Sequence, residues 1–494
     1  MSTNKNSSLL VILYEIAVKT FPILENPILY AFLFCFLYWL YLFLTTTPYI
    51  KYDAETFVQL GKTIYEGGWA GFFKNEPNYV PLYPYLISVA IQLGNHFEVS
   101  FEKFQVFFQI IILLATQALI FLTCRKLKMS KIVTALVILY FGISPAIVNS
   151  TFSLYSEIAT YPCVILAVFV AGLGWQALTE GDFLKIFVSS ILLSFIFVIL
   201  TMTNAIFEYI TMIFLGAYLL SGIVFLFRRQ TKLFAGVLFF VFLIFIVFTL
   251  AVTPYRMMNL QYNGHKALVI KGAWSLYGNT FRRTQDLSKE QIRAAIAYIP
   301  GEGVCRKKFS KDACDFWSVG TQHGIGMRKL KMLRAEGVPN KEIDSKLIEL
   351  SKQMAFKKPG QYVLLTFFES LKMFFWESTQ VGYVFYPKGL ENLYHREGFK
   401  NGLRLLVSVI TVISFLFFLG YLFKNFRKLY DPDFKNRAAL SFLFACAIML
   451  FGYIGMHSFF CIATRYAFPI VSLYMILIGL FLQKTFFCKI RDKE

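Results

Sequence analysis

Two carboxylates one residue apart, in "KYDAETFVQLGKTIYEGG", are the first side chains here whose types and spacing could do chemistry. Asp53 and Glu55 follow directly on a long apolar run. A carboxylate fixed at the edge of such a run can act as a general base, and its neighbour can share that role or bind polar hydroxyls. The same D-A-E also suits a helix start, with a capping Asp and a first-turn Glu set against the helix dipole. The two accounts are compatible, because a capping Asp is rigidly held. A second centre is Arg465 with Tyr466 in "FFCIATRYAFPI". An arginine between apolar stretches is costly unless it has a partner, has a function or snorkels to the interface. Lys74 in "FFKNEPNY", Arg256 in "TPYRMMN" and Arg282 and Arg283 in "NTFRRT" are further anion-binding candidates, with solvated surface charge as the alternative. Glu157 in "LYSEIATYP" and Tyr79 in "NYVPLYP" are candidate cavity residues. Glu76 and His265 could jointly hold a divalent cation (Mg or Mn), although two distant ligands make no signature. Cys305 and Cys314 in "GVCRKKFSKDAC" fit no zinc or C-x-x-C spacing and could form a local disulfide outside the cytoplasm.

The elements that must position these residues are set by composition. The chain has 494 residues, of which 57% are hydrophobic, 18% aromatic and 16% charged. Soluble chains carry about 25% charge. Apolar runs of about 18–22 residues without two-residue alternation point to spanning helices and not to a β-barrel. The fold class expected is therefore an all-α polytopic membrane protein. The first apolar stretch, 9–23, lacks the basic region and small-residue site of a cleavable signal. The net charge of +20 is assigned to residues flanking spans and meeting anionic lipid, and no nucleic-acid motif is present.

About ten spans are expected, at 28–44, 104–123, 132–148, 158–178, 183–202, 207–227, 232–252, 403–423, 438–456 and 467–482. They divide the chain into an N-terminal module (1–252) with an outer loop at 45–103, a large polar loop with a small helical domain (253–402), and C-terminal helices (403–494). The short basic connections 124–131, 227–232 and 424–437 and the tail 484–494 fall on one side, which the charge rule makes cytoplasmic. "PLYPYLISVAIQLG" is too short to span, and its prolines suit a helix start. It and "PGQYVLLTFFESLKMFFWES", with Glu369 and Lys372 in its middle, are expected as helices lying in the outer interface.

Several stretches, taken in order, resemble the GT-C superfamily of polytopic glycosyltransferases, especially the protein O-mannosyltransferases and the lipid A aminoarabinose transferase. They are "DAETFVQLGKTIYEGGWAGFF" then "NYVPLYPYLISVAIQLG", "LYSEIATYP", "GAWSLYGNTFRR", "KKPGQYVLLTFFESL" and "ATRYAFPIVSLYMIL". Each is short, but together they cover nearly the whole chain. The chain departs from the family at the end of the fifth span, where "TMTNAIFEY" replaces a basic residue and Pro, and its first-loop motif is D-x-E.

The resemblance implies an inverting transfer of a sugar from a polyprenyl-phosphate donor to a lipid, protein or glycan acceptor on the extracytoplasmic face, and the Lys-rich, Phe-rich usage suits a bacterial inner membrane. Asp53 is the expected base. Arg465, Tyr466, Lys74, Arg256, Arg282 and Arg283 are the expected contacts of the donor phosphate. Two other classes compete. A transporter or lipid flippase predicts polar, broken helices near the bilayer midplane. A non-catalytic scaffold would bind a partner through 253–402.

Overall fold

A computed structural model describes residues 26–75, 79–264, 266–269, 271–378, 383–431, 434 and 436–487. Residues 9–23, Glu76 and His265 lie outside these. The protein is all-α. Its longer helices are numbered α1 (Pro27–Thr45), α2 (Asp53–Lys74), α3 (Leu82–Phe97), α4 (Phe101–Lys126), α5 (Lys131–Ile143), α6 (Pro145–Phe152), α7 (Glu157–Glu180), α8 (Phe183–Thr203), α9 (Ile206–Phe227), α10 (Thr231–Asn263), α11 (Lys271–Thr284), α12 (Lys289–Ala297), α13 (Val319–Ala335), α14 (Asn340–Lys357), α15 (Pro359–Ser370), α16 (Glu397–Asn425), α17 (Arg437–Phe460) and α18 (Phe468–Thr485). Proline opens α1, α6 and α15, where its missing N–H costs no helical bond.

Among the described residues nine helices are long and apolar enough to cross a membrane, and ten if the bent pair α5–α6 is one span. This is a multi-pass membrane protein. Three spans form its centre. The apolar windows of α7, α17 and the final span, Thr464–Thr485, are 72%, 72% and 78% buried inside the protein, whereas the other spans are 22–39% buried and present their remaining surface outward.

The expected third span, 132–148, is broken. α5 and α6 meet at 49°. Pro145 cannot donate to the turn before it and disfavours helix at Ser144. The groups freed by the break are satisfied locally. The carboxylate of Glu377 is fully buried there and accepts from Tyr140 Oη and Ser144 Oγ, both at 2.7 Å, and from the Ala146 amide at 3.1 Å. The seventh span also differs, because α10 runs as one helix through Pro254 to Asn263, so the expected division at 252 falls inside it. The eighth begins at Glu397, six residues before the expected 403.

The two short apolar segments form α3 and α15. α15 carries Val363, Leu364 and Phe367 on its exposed face and turns Glu369 inward, where Lys372 of the following turn joins it. Beyond α10, helices α11, α13 and α14 pack around Trp274, Leu330, Leu333 and Leu347. α11 and α13 cross so closely that a Cβ on Gly326 would run into the carbonyl of Trp274, and one on Gly278 into that of Gln322. Cys305 and Cys314 are joined in a disulfide beside α12, within a cluster that includes Trp317 and Leu365. A two-residue antiparallel pairing, Thr47 with Phe385 and Pro48 with Val384, ties the exit of α1 to the segment before α16.

Candidate functional site

The start of α2 is set by Tyr52, whose φ of 55° turns the chain sharply into the helix. Asp53 is therefore the first helical residue, not the cap, and no side-chain cap bond is made. The capping account of Asp53 gives way for that reason: both oxygens are engaged elsewhere. Oδ1 accepts from the Tyr79 hydroxyl at 2.7 Å, and Oδ2 accepts from Arg465. Lys271, in the first turn of α11, donates to the same Tyr79 hydroxyl at 3.2 Å and lies over its ring at 4.7 Å from the centroid. Arg465 is held between two aromatic rings, those of Tyr155 and Tyr466, each 5.3 Å away. This aromatic seat fixes the guanidinium plane through cation–π contact.

The electrostatics follow from this arrangement. Burial pushes the Asp53 carboxyl up, but the charges of Arg465 and Lys271 and the hydroxyl of Tyr79 outweigh it and hold the group down to about 2. The Tyr79 hydroxyl is pushed well above its ordinary range by burial and by the adjoining Asp53 charge, so it stays a donor.

These residues line a cavity of about 450 Å³. Its wall is built from the ends of spans: Glu157 opens α7, Thr203 closes α8, Ile206 and Glu208 open α9, Arg256 stands near the end of α10, and His457 stands near the end of α17. Along an up-and-down chain all of these ends fall on one face, and the central spans place the cavity at the middle of it. Within the wall Arg256 pairs with Glu208. Glu157 is 8% exposed, and its carboxylate has no side-chain hydrogen bond or ion pair among the described residues.

The structure thus brings Asp53, Tyr79, Glu157, Arg256, Arg465 and Tyr466 together, and it leaves four expected residues out. Glu55 is exposed and off the wall, because a residue two positions on from Asp53 points to the far side of a helix. Lys74 is exposed at the other end of α2. Arg282 and Arg283 are 1% and 0% exposed and clamp Glu369, at 2.9 Å and 2.8 Å, about three helical turns along α11 from Lys271. Their guanidiniums are committed to that carboxylate and do not reach the cavity. Among the described residues no group of three His, Cys, Asp or Glu side chains could hold a metal ion.

Glu208, Lys271 and Tyr155 are among the wall residues that were not anticipated. Glu208 obeys the same rule that picks out Arg465, a lone charge in an apolar run, and that rule applied to "NAIFEYITMIF" finds it. Lys271 stands directly before "GAWSLYGNT". Nothing in the sequence separates Tyr155 from the other tyrosines. No protein-family model matches this chain, and no curated protein or solved structure matches it.

Proposed function

We propose that this protein is a membrane glycosyltransferase that moves a sugar from a polyprenyl-phosphate donor to an acceptor at the extracytoplasmic face, with Asp53 as general base. The observation that carries the reading is the arrangement around Asp53: one carboxylate on the wall of a span-end cavity, held by a hydroxyl and a guanidinium, with the Lys271 ammonium next in line. The step needs these parts. The acceptor oxygen forms a bond to the anomeric carbon as that carbon's bond to the phosphate oxygen breaks. The bonding pair leaves with the phosphate, and the acceptor's proton passes to Asp53. The developing phosphate charge is met by Arg465 and Lys271.

A carboxyl held near 2 is a weak base. The donor phosphate corrects this by competing for Arg465 and Lys271, which lowers their grip on Asp53 and raises its proton affinity where a proton must be taken. The base is therefore activated by the bound donor.

The sidedness is supported by charge. The cavity lies at the face opposite the short basic connections 124–131 and 227–232, which the charge rule sets in the cytoplasm. The Cys305–Cys314 disulfide fits an oxidising compartment. The transporter reading is disfavoured, because α5–α6, the bent span pair, contributes no residue to the cavity.

The test is Asp53→Asn in the purified chain, given a polyprenyl-phosphate sugar and a pool of membrane acceptors. Transfer falls by about 10²–10⁴-fold while the folded protein accumulates as before. Undiminished transfer removes Asp53 from the mechanism, and the same lack of transfer in both proteins removes the glycosyltransferase reading.

A further inference from the structure

A second cavity, of about 290 Å³, lies behind the segment that carries Arg465. Residues 461–466 form the partition. Cys461, Arg465 and Tyr466 line the first cavity, and Ile462, Ala463 and Thr464 line the second. The backbone there is extended at Cys461 and Ala463, between the end of α17 and the short turn Thr464–Ala467. The two cavities are thus separated by the thickness of one strand-like segment.

The walls of the second cavity are strongly cationic. Lys372, Lys400 and Arg404 face Glu302 as its one acidic residue, and Glu302 is paired with Arg306 on an exposed surface. Arg404 spends its guanidinium on neutral groups, donating at 2.9 Å each to the carbonyls of Glu377, Pro300 and Ser378, which fixes its position but leaves its charge. Lys400 has no side-chain hydrogen bond or ion pair among the described residues. Lys372 is 2% exposed and belongs to the buried group of Arg282, Arg283 and Glu369, at 2.7 Å from the carboxylate. That group sets three cations against one carboxylate. A buried excess of one sign is costly unless something counters it, and the second cavity is where Lys372 meets open space.

We infer that the second cavity binds an oxyanion of phosphate size carried by the acceptor, seated by Lys372 and Lys400 in the field of the buried arginines. This rests on the glycosyltransferase reading and adds the chemical class of the acceptor, an anionic one. It also assigns a task to the partition, which lets an acceptor anchored on one side present its hydroxyl across the 461–466 segment to Asp53. Burial pushes the Lys372 ammonium down to about 8 against the opposing pull of Glu369, and a bound anion would draw it back up.

The experiment uses the full chain in nanodiscs and inorganic phosphate as the probe, read by thermal midpoint. Phosphate raises the midpoint of the wild type and of Lys271→Met, whose first cavity is weakened, and Lys400→Glu needs at least tenfold more phosphate for the same rise. Lys400→Gln falls between them. Equal phosphate response in Lys400→Glu and wild type overturns the site, and so does loss of the response in Lys271→Met, which places the ion in the first cavity. In the transfer assay Lys400→Glu raises the acceptor KM at least tenfold and leaves the donor KM unchanged. An unchanged acceptor KM overturns the acceptor role. If the wild type transfers no sugar, the glycosyltransferase reading falls, while the phosphate titration still decides the site. Nanodiscs of phosphatidylcholine and of phosphatidylglycerol separate the sources of the oxyanion. A phosphate response kept in both assigns the site to the acceptor, and one abolished by phosphatidylglycerol assigns it to a lipid headgroup and overturns the acceptor role.

Discussion

Arg465 closes an ion pair on Asp53 across 412 residues of sequence. The pair joins the first turn of α2 to the entry of the last span, so an early and a late segment of the chain meet at one cavity. The side chains are 20% and 25% exposed, so the pair is shielded from water without being sealed off. On the proposed reading a donor phosphate reaches it there.

Removing the guanidinium should therefore damage both structure and chemistry. Arg465→Ala leaves Asp53 with Tyr79 alone, and a hydrogen bond to a charged group contributes about 1.5–3 kcal/mol. The thermal midpoint of the detergent-solubilised protein should fall, and transfer should fall about 10²-fold or more. Arg465→Lys keeps the charge but loses the planar seat between Tyr155 and Tyr466, and should recover stability better than activity. Equal activity in wild type and Arg465→Ala would remove the arginine from phosphate stabilisation.

The pH dependence has a defined direction. The Asp53 carboxyl is held at about 2, below its ordinary value near 4, so its contribution to stability is present above pH ~4 and is lost as pH falls toward 2. Asp53→Asn should flatten the stability curve across that window. The donor-bound state should differ from the free one. With Arg465 and Lys271 drawn to phosphate, the acid limb of kcat should lie at higher pH than the acid limb of kcat/KM, which a pair of pH–rate profiles would measure.

Asp344, on α14, carries the opposite sign. Burial pushes its carboxyl up to about 6, and its Oδ1 is buried without a partner. A raised acid stabilises fully below its unfolded pKa and loses that contribution as pH rises through about 6. Asp344→Asn should raise stability at pH 7 by about 1–3 kcal/mol and change it little near pH 3, as chemical unfolding at the two pH values would report.

Glu369 is the single carboxylate among Arg282, Arg283 and Lys372. Glu369→Gln leaves three buried cations without a counter-charge and should cost about 3–5 kcal/mol, seen as poor accumulation of folded protein. Glu369→Asp should retain part of the stability. A Gln variant as stable as wild type would mean that the cluster does not carry three full positive charges.

The Cys305–Cys314 bond reports sidedness. In intact cells both thiols should resist maleimide until a reductant is added, and a lone cysteine placed at exposed Lys74 should react with a membrane-impermeant reagent. Opening the bond should cost about 2–3 kcal/mol, the entropy of a short closed loop. Labelling of Lys74→Cys only after the membrane is broken would reverse the orientation.

The sequence by itself determined the class of the molecule, because span length and hydropathy are local properties that bilayer thickness reads directly. Asp53 and Arg465 were legible for the same reason, each being a charge that an apolar neighbourhood makes costly. Register around a helix and distance along it were not legible. One residue separates Asp53 from exposed Glu55, and three turns of α11 separate Lys271 at the cavity from Arg282 in the buried cluster. Single-residue spacing says which residues carry charge, not which of them face one another. Only tertiary packing decided that Arg282 and Arg283 meet Glu369, that Glu377 fills the break between α5 and α6, and that Tyr155 seats Arg465. Those contacts join segments far apart in the chain, and burial fixes them by requiring each buried charge to find its partner in space.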